Sequence, residues 1–154
     1  MSWVSASGGS IPSNALVAGY ESDGKPIYIG RAQHQGGVHP GKVAPHLNGC
    51  NIGYGGQEHV KRDYEVYCVN AKQASTVHWQ KKKEGKVPPH ALPAGREADG
   101  KPLWVARTKH QGGLHIGKAG AHLRDGMSLG FGGREINKTV YEVLVHVDRL
   151  KQFI

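Results

Sequence analysis

Residues 23–37 read Asp-Gly-Lys-Pro-Ile-Tyr-Ile-Gly-Arg-Ala-Gln-His-Gln-Gly-Gly, and residues 99–113 read Asp-Gly-Lys-Pro-Leu-Trp-Val-Ala-Arg-Thr-Lys-His-Gln-Gly-Gly. Working outward at the same offset of 76 positions, His39, Gly41 and Lys42 recur as His115, Gly117 and Lys118, and His46-Leu47 as His122-Leu123. One residue is then inserted in the second copy, after which Gly53, Gly55, Gly56 and Glu58 pair with Gly130, Gly132, Gly133 and Glu135. Tyr64-Glu65-Val66 pairs with Tyr141-Glu142-Val143, and backwards the match reaches Trp3 with Trp79. About half the aligned positions are identical, so the chain is a tandem duplication. The first repeat spans 3–70 and the second 79–147, with 71–78 as a connector.

Each repeat reads as short strands. Asp-Gly ahead of Ile27-Tyr28-Ile29 and Leu103-Trp104-Val105 is a hairpin signal, because both turn residues tolerate positive φ. The 23 glycines disfavour long helices, and only the tail, 147–154, has the pattern of a short helical turn. The expectation is an all-β fold, two homologous repeats of short antiparallel strands related by a pseudo-two-fold axis. Neither repeat has enough apolar surface to fold alone. Cys50 and Cys68 align with Met127 and Val145, so both are expected to be free thiols in the core.

The 154 residues carry a formal net charge of +8. Residues 3–70 are neutral, with five basic and five acidic side chains, whereas 71–90 hold five Lys against one Glu. The basicity is therefore not built into the repeated unit, and specific nucleic-acid binding is not expected. Lys81, Lys82, Lys83 and Lys86 read as a solvated connector loop. No apolar run reaches the length of a membrane span, and the first residues lack a secretory signal. A cytoplasmic protein, released if at all by a non-classical route, is the expectation.

Among the polar residues kept in both copies, Asp23 and Lys42 suit a neutral polyol. A carboxylate accepts from adjacent hydroxyls and an ammonium donates to their oxygens. Asp23 reads equally well as a turn residue, and Lys42 as an exposed lysine on a strand edge. The triplets His34, His39, His46 and His110, His115, His122 have poor spacing for zinc, and carboxylates are too dispersed for calcium. His39 and His115 are candidates to line the polyol pocket. No nucleophile repeats beside a base, so an enzyme is not expected, nor is a cofactor.

The order of these motifs resembles the DM-nine repeat family: Trp, Gly-x-x-Pro, Ala-Leu-x-Ala-Gly-x-Glu-x-Asp-Gly-Lys-Pro, His-x-Gly-Gly-x-His-x-Gly-Lys, and Gly-x-Gly-Gly-x-Glu before Tyr-Glu-Val. Natterin-like lectins and mannose-specific lectins of bivalve molluscs are members. The resemblance implies calcium-independent binding of mannose and high-mannose glycans, a homodimer, and innate recognition of microbes. It places sugar-binding carboxylates at Asp23 and Asp99 and sugar-binding ammonium groups at Lys42 and Lys118, with His39 and His115 beside them and one site in each repeat. The competing expectation is an intracellular interaction or stress-response protein of the same fold that binds protein or anionic lipid.

Overall fold

The computed structural model describes residues 2–146. The first repeat forms β1 (Ser2–Ser7), β2 (Val17–Tyr20), β3 (Pro26–His34), β4 (Gly37–Ala44), a 3-10 turn (Pro45–Leu47), β5 (Gly49–Tyr54), β6 (Gln57–Lys61) and β7 (Asp63–Cys68). The second repeats the series as β8 (Val77–Lys83), β9 (Pro93–Arg96), β10 (Pro102–His110), β11 (Gly113–Ala119), β12 (Met127–Phe131), β13 (Arg134–Lys138) and β14 (Val140–His146). Between them lies one helical turn, α1 (Ala71–Ala74). The expected all-β fold is present. The helical turn expected in the tail lies outside the described residues; α1 was not expected. Asn70 caps it by accepting from the Gln73 backbone N–H, while the Gln73 side chain accepts from the Asn70 N–H.

All strand pairs are antiparallel, in the order β1-β7-β3-β2-β11-β12-β13-β6-β5-β4-β9-β10-β14-β8, with further pairings β3–β4 and β10–β11. Exchanging each strand for its repeat partner reverses this order onto itself, which is the pseudo-two-fold axis expressed as topology. Strands β3, β2, β11, β10, β9 and β4 close on themselves as a small barrel. Closure depends on two cross-repeat contacts, Tyr20 with Leu114 and Arg96 with Val38. Glycine is required at both seams. A Cβ at Gly19 would collide with the Leu114 carbonyl oxygen, and one at Gly95 with that of Val38.

The hairpins follow from local sequence. Gln35 and Gly36 both have positive φ, 49° and 79°, and Gln111 and Gly112 repeat this at 48° and 84°. That is the two-residue turn whose twist matches antiparallel strands.

The core is shared between the repeats. Its central cluster joins Ile27, Ile29 and Tyr67 of the first repeat to Val105, Ile116 and Leu144 of the second. Each repeat adds a private cluster, one containing Cys50 and Cys68 and the other Met127. Both cysteines are buried free thiols, as their aligned partners implied.

One expectation fails. Lys81, Lys82 and Lys83 are not in a loop but on β8, which among the described residues pairs only with β14 and forms an edge of the sheet. The lysine run hid the strand, whose apolar content is Val77 and Trp79 alone. Lysines on an edge strand oppose pairing with another chain, which is a structural reason for the cluster.

Candidate functional site

Lys42 sits near the C-terminal end of β4, opposite Ile29 on one side and Asn51 on the other. Lys118 occupies the equivalent place on β11, opposite Val105 and Ser128. Each is only 2% exposed, so neither is the exposed edge lysine that the sequence allowed. The Lys42 Nζ lies 3.1 Å from His115 Nδ1, and the Lys118 Nζ lies 3.0 Å from His39 Nδ1. The ammonium groups also face rings, Lys42 at 5.0 Å from the centre of Phe131 and Lys118 at 5.3 Å from that of Tyr54. Among the described residues no carboxylate comes within ion-pair distance of either lysine.

Burial pushes both lysine pKa values down. Glu58 and Glu21 act against this at Lys42, and Glu97 and Glu135 at Lys118. Burial, followed by the neighbouring ammonium, takes His39 and His115 down to about 4. Both rings are thus neutral at pH 7. Since Nδ1 faces an ammonium, it accepts, and Nε2 carries the proton. The His39 Nε2 is buried without a hydrogen-bond partner and points toward Glu97 Oε1 at 3.9 Å. The other oxygen of Glu97 is held 2.7 Å from His122 Nε2. Glu21 is held in the same way by His46, at 2.7 Å.

The lysine and histidine that meet come from different repeats. One site per repeat, with His39 beside Lys42, is therefore corrected. Residues three apart on a strand point to opposite faces, so His39 and Lys42 cannot share a pocket. The barrel closure instead brings β4 and β11 together. Each site takes its lysine, glutamate and second histidine from one repeat, and its first histidine and aromatic ring from the other.

Asp23 and Asp99 are at the rim, on the turns that follow β2 and β9. Asp23 Oδ1 accepts from the Lys25 N–H at 3.0 Å, and Asp99 Oδ1 from that of Lys101 at 3.1 Å. Both side chains are 57% exposed. The Lys25 N–H is the main cause that lowers the Asp23 pKa, and the Lys101 side chain is the main cause at Asp99. The turn role is thus present, and no hydrogen bond joins either aspartate to Lys42 or Lys118. The aspartates share their turns with Glu21 and Glu97, and His46 and His122 lower their pKa values further.

The histidine triplets disperse. His34 packs on Tyr54 and His59, with ring centres 4.8 and 4.3 Å away, His39 meets Lys118, and His46 pairs with Glu21. Sequence reasoning did not place Glu21, Glu97, His46, His122, Tyr54 or Phe131 in the site. A signal existed: Glu21 and His46 recur unchanged at the same 76-position offset, and Tyr54 recurs as Phe131.

A comparison with curated proteins found no match. The crystal structure of the nematode sperm cell motility protein MFP2B is similar in fold, with a TM-score of 0.66 at 12% identity. The similarity covers 94% of this chain but 46% of that one, so this chain spans less than half the length of its structural neighbour. The sequence model of the DM9 repeat matches residues 1–61 and 21–127. With most of its length matched, and two copies of one strand series around a pseudo-two-fold axis, the chain belongs to the DM9 repeat family.

Proposed function

We propose that this protein is a calcium-independent lectin with two equivalent sites, which takes mannose and high-mannose glycans and serves the recognition of microbes. The observation that carries the reading is the buried ammonium, present twice, with no carboxylate of the described residues in ion-pair reach. Removing an ammonium from water costs several kcal/mol unless it is compensated. A fold that keeps two such groups, each met by a neutral histidine, has a ligand to satisfy. A polyol fits the chemistry. Its oxygens accept from Lys42 or Lys118. His39 Nε2 and Glu97 Oε1, 3.9 Å apart, offer a donor and an acceptor side by side, and a small shift of the Glu97 carboxylate would let a hydroxyl use both. Asp23 and Asp99 at the rim are placed to accept from outer hydroxyls, and the aromatic rings offer an apolar wall. No redox or nucleophilic chemistry is asked of these groups, so binding without catalysis is the reading.

Titration calorimetry with free mannose, with and without EDTA, tests it. The expected result is two sites per chain in both conditions and none in the Lys42→Ala, Lys118→Ala double variant. Absence of binding to mannose and to a high-mannose array, or binding that survives the double variant, overturns it.

A further inference from the structure

The two repeats carry one groove with divergent chemistry. Its frame is the same in both. In the first repeat, Arg31 Nε donates to Glu65 Oε1 at 2.9 Å, and the guanidinium lies 4.1 Å over Trp3. In the second, Arg107 Nε donates to Glu142 Oε1 at 2.9 Å and lies 4.0 Å over Trp79. Around this frame the first repeat places Ser5, Ser7, Gln33 and Asp63, and the groove is about 1020 Å³. At the equivalent positions the second repeat has Lys81, Lys83, Lys109 and Val140. Its groove is about 380 Å³, lined by Lys81, Arg107, Lys109 and Glu142 with Leu114 and Val140.

The register puts the new lysines on that groove. Lys81 lies opposite Glu142, Lys83 opposite Val140, and Lys109 opposite Leu114. Lys81 and Lys83 alternate with Lys82 along β8 and so project from one face, about 7 Å apart. The face holds Lys81, Lys83, Arg107 and Lys109 against one acid, Glu142, which Arg107 already binds. Among the described residues none of the three lysines forms an ion pair. The first-repeat groove is lined by Arg31, Lys61 and Arg62 against Asp63 and Glu65, and Arg31 is bound to Glu65. The second groove therefore carries the larger excess of cations, and protection of a sheet edge does not account for all of it, since Lys109 is on an interior strand.

The geometry points to this groove as a binding site for a linear sulfated polysaccharide. A row of fixed cations along a strand matches a chain of regularly spaced sulfates. Bases of single-stranded nucleic acid want open aromatic faces. Here Trp79 is covered by Arg107, and the Tyr141 hydroxyl donates to the Lys86 carbonyl and accepts from the Gly85 N–H. A membrane surface wants protruding apolar side chains. Here Leu114 is half-buried in the groove, and Val140 stands exposed beside it without an aromatic or long apolar neighbour to insert with it.

Immobilised heparin is the probe, with neutral dextran as the blank. The Lys81→Ser, Lys83→Ser, Lys109→Gln variant restores the first-repeat residues and is expected to bind heparin at least roughly tenfold more weakly, with a shallower dependence on salt. The Lys72→Gln, Arg124→Gln, Arg134→Gln variant removes the same charge elsewhere on exposed positions and is expected to change affinity less than about threefold. Ser5→Lys, Ser7→Lys, Gln33→Lys in the wild-type chain is expected to add a second heparin site. Equal loss in the two neutral variants, no gain from the graft, or equally tight binding of single-stranded RNA or phosphatidylserine vesicles to the same groove overturns the assignment. An unchanged thermal midpoint and far-UV circular dichroism spectrum in each variant report that the chain is folded.

Discussion

Lys42 and His115 are 73 positions apart, in different repeats, and meet with 3.1 Å between Nζ and Nδ1. Their counterparts, His39 and Lys118, meet at 3.0 Å. Each candidate site is thus shared between the repeats, and neither repeat owns one.

The crossing has a direct test in pairs of substitutions. Lys42→Ala and His115→Ala strike the same site, so each alone, and both together, should halve the mannose stoichiometry. Lys42→Ala with His39→Ala strikes both sites and should abolish binding. Residues acting as one unit are non-additive, and residues in separate units are not. Calorimetric stoichiometries in which Lys42 groups with His39 would refute the crossed arrangement.

Asp23→Asn separates the turn role from a ligand role. Asparagine retains an Oδ1 to accept from the Lys25 N–H, so the thermal midpoint should stay unchanged. Mannose affinity at that site should fall roughly tenfold, since a charge-assisted acceptor becomes a neutral one. Unchanged affinity in both the Asp23→Asn and Asp99→Asn proteins would remove the aspartates from the site.

Acid should destabilise the fold in a defined window. His39 and His115 titrate near 4 when folded, against an ordinary value of 6.5. Between those values the unfolded chain binds more protons, so stability rises with pH there. The contribution is fully present above about pH 6.5 and is lost as pH falls toward 4, on the order of 2–3 kcal/mol per histidine. Burial lowers His34 and His110 in the same sense. Urea unfolding between pH 7 and 4.5 should show this slope, reduced in the His39→Gln, His115→Gln protein. A flat profile would count against neutral buried imidazoles.

The cysteines should be inert in the native protein. Cys50 is fully buried and its thiol is pushed up to about 12, which leaves almost no thiolate at neutral pH. A thiol reagent should label neither cysteine in buffer and both in denaturant. Cys68→Val, which copies the second repeat, should cost less than about 1.5 kcal/mol. Rapid native labelling, or a mass change on reduction, would contradict this.

The duplication, the hairpins and the free thiols were legible in the residues alone. Local geometry explains why: the Asp-Gly turns ahead of β3 and β10 need positive φ at Gly24 and Gly100, which glycine adopts without strain, whereas the Gln35-Gly36 turn was not read from the sequence. Cys50 and Cys68 were readable because their aligned partners are apolar. The strand β8 was not, because Lys81, Lys82 and Lys83 give no alternation, and pairing with β14 makes it a strand. The site was half legible. Retention in both copies singled out Lys42, Lys118, His39 and His115, but the reading put His39 beside Lys42 in one pocket, which the alternation of side chains along β4 forbids. Which histidine meets which lysine was decided only by the closure of β2 on β11 and β9 on β4. Pairing between strands far apart in the chain depends on the summed packing of the central cluster, which no local stretch encodes.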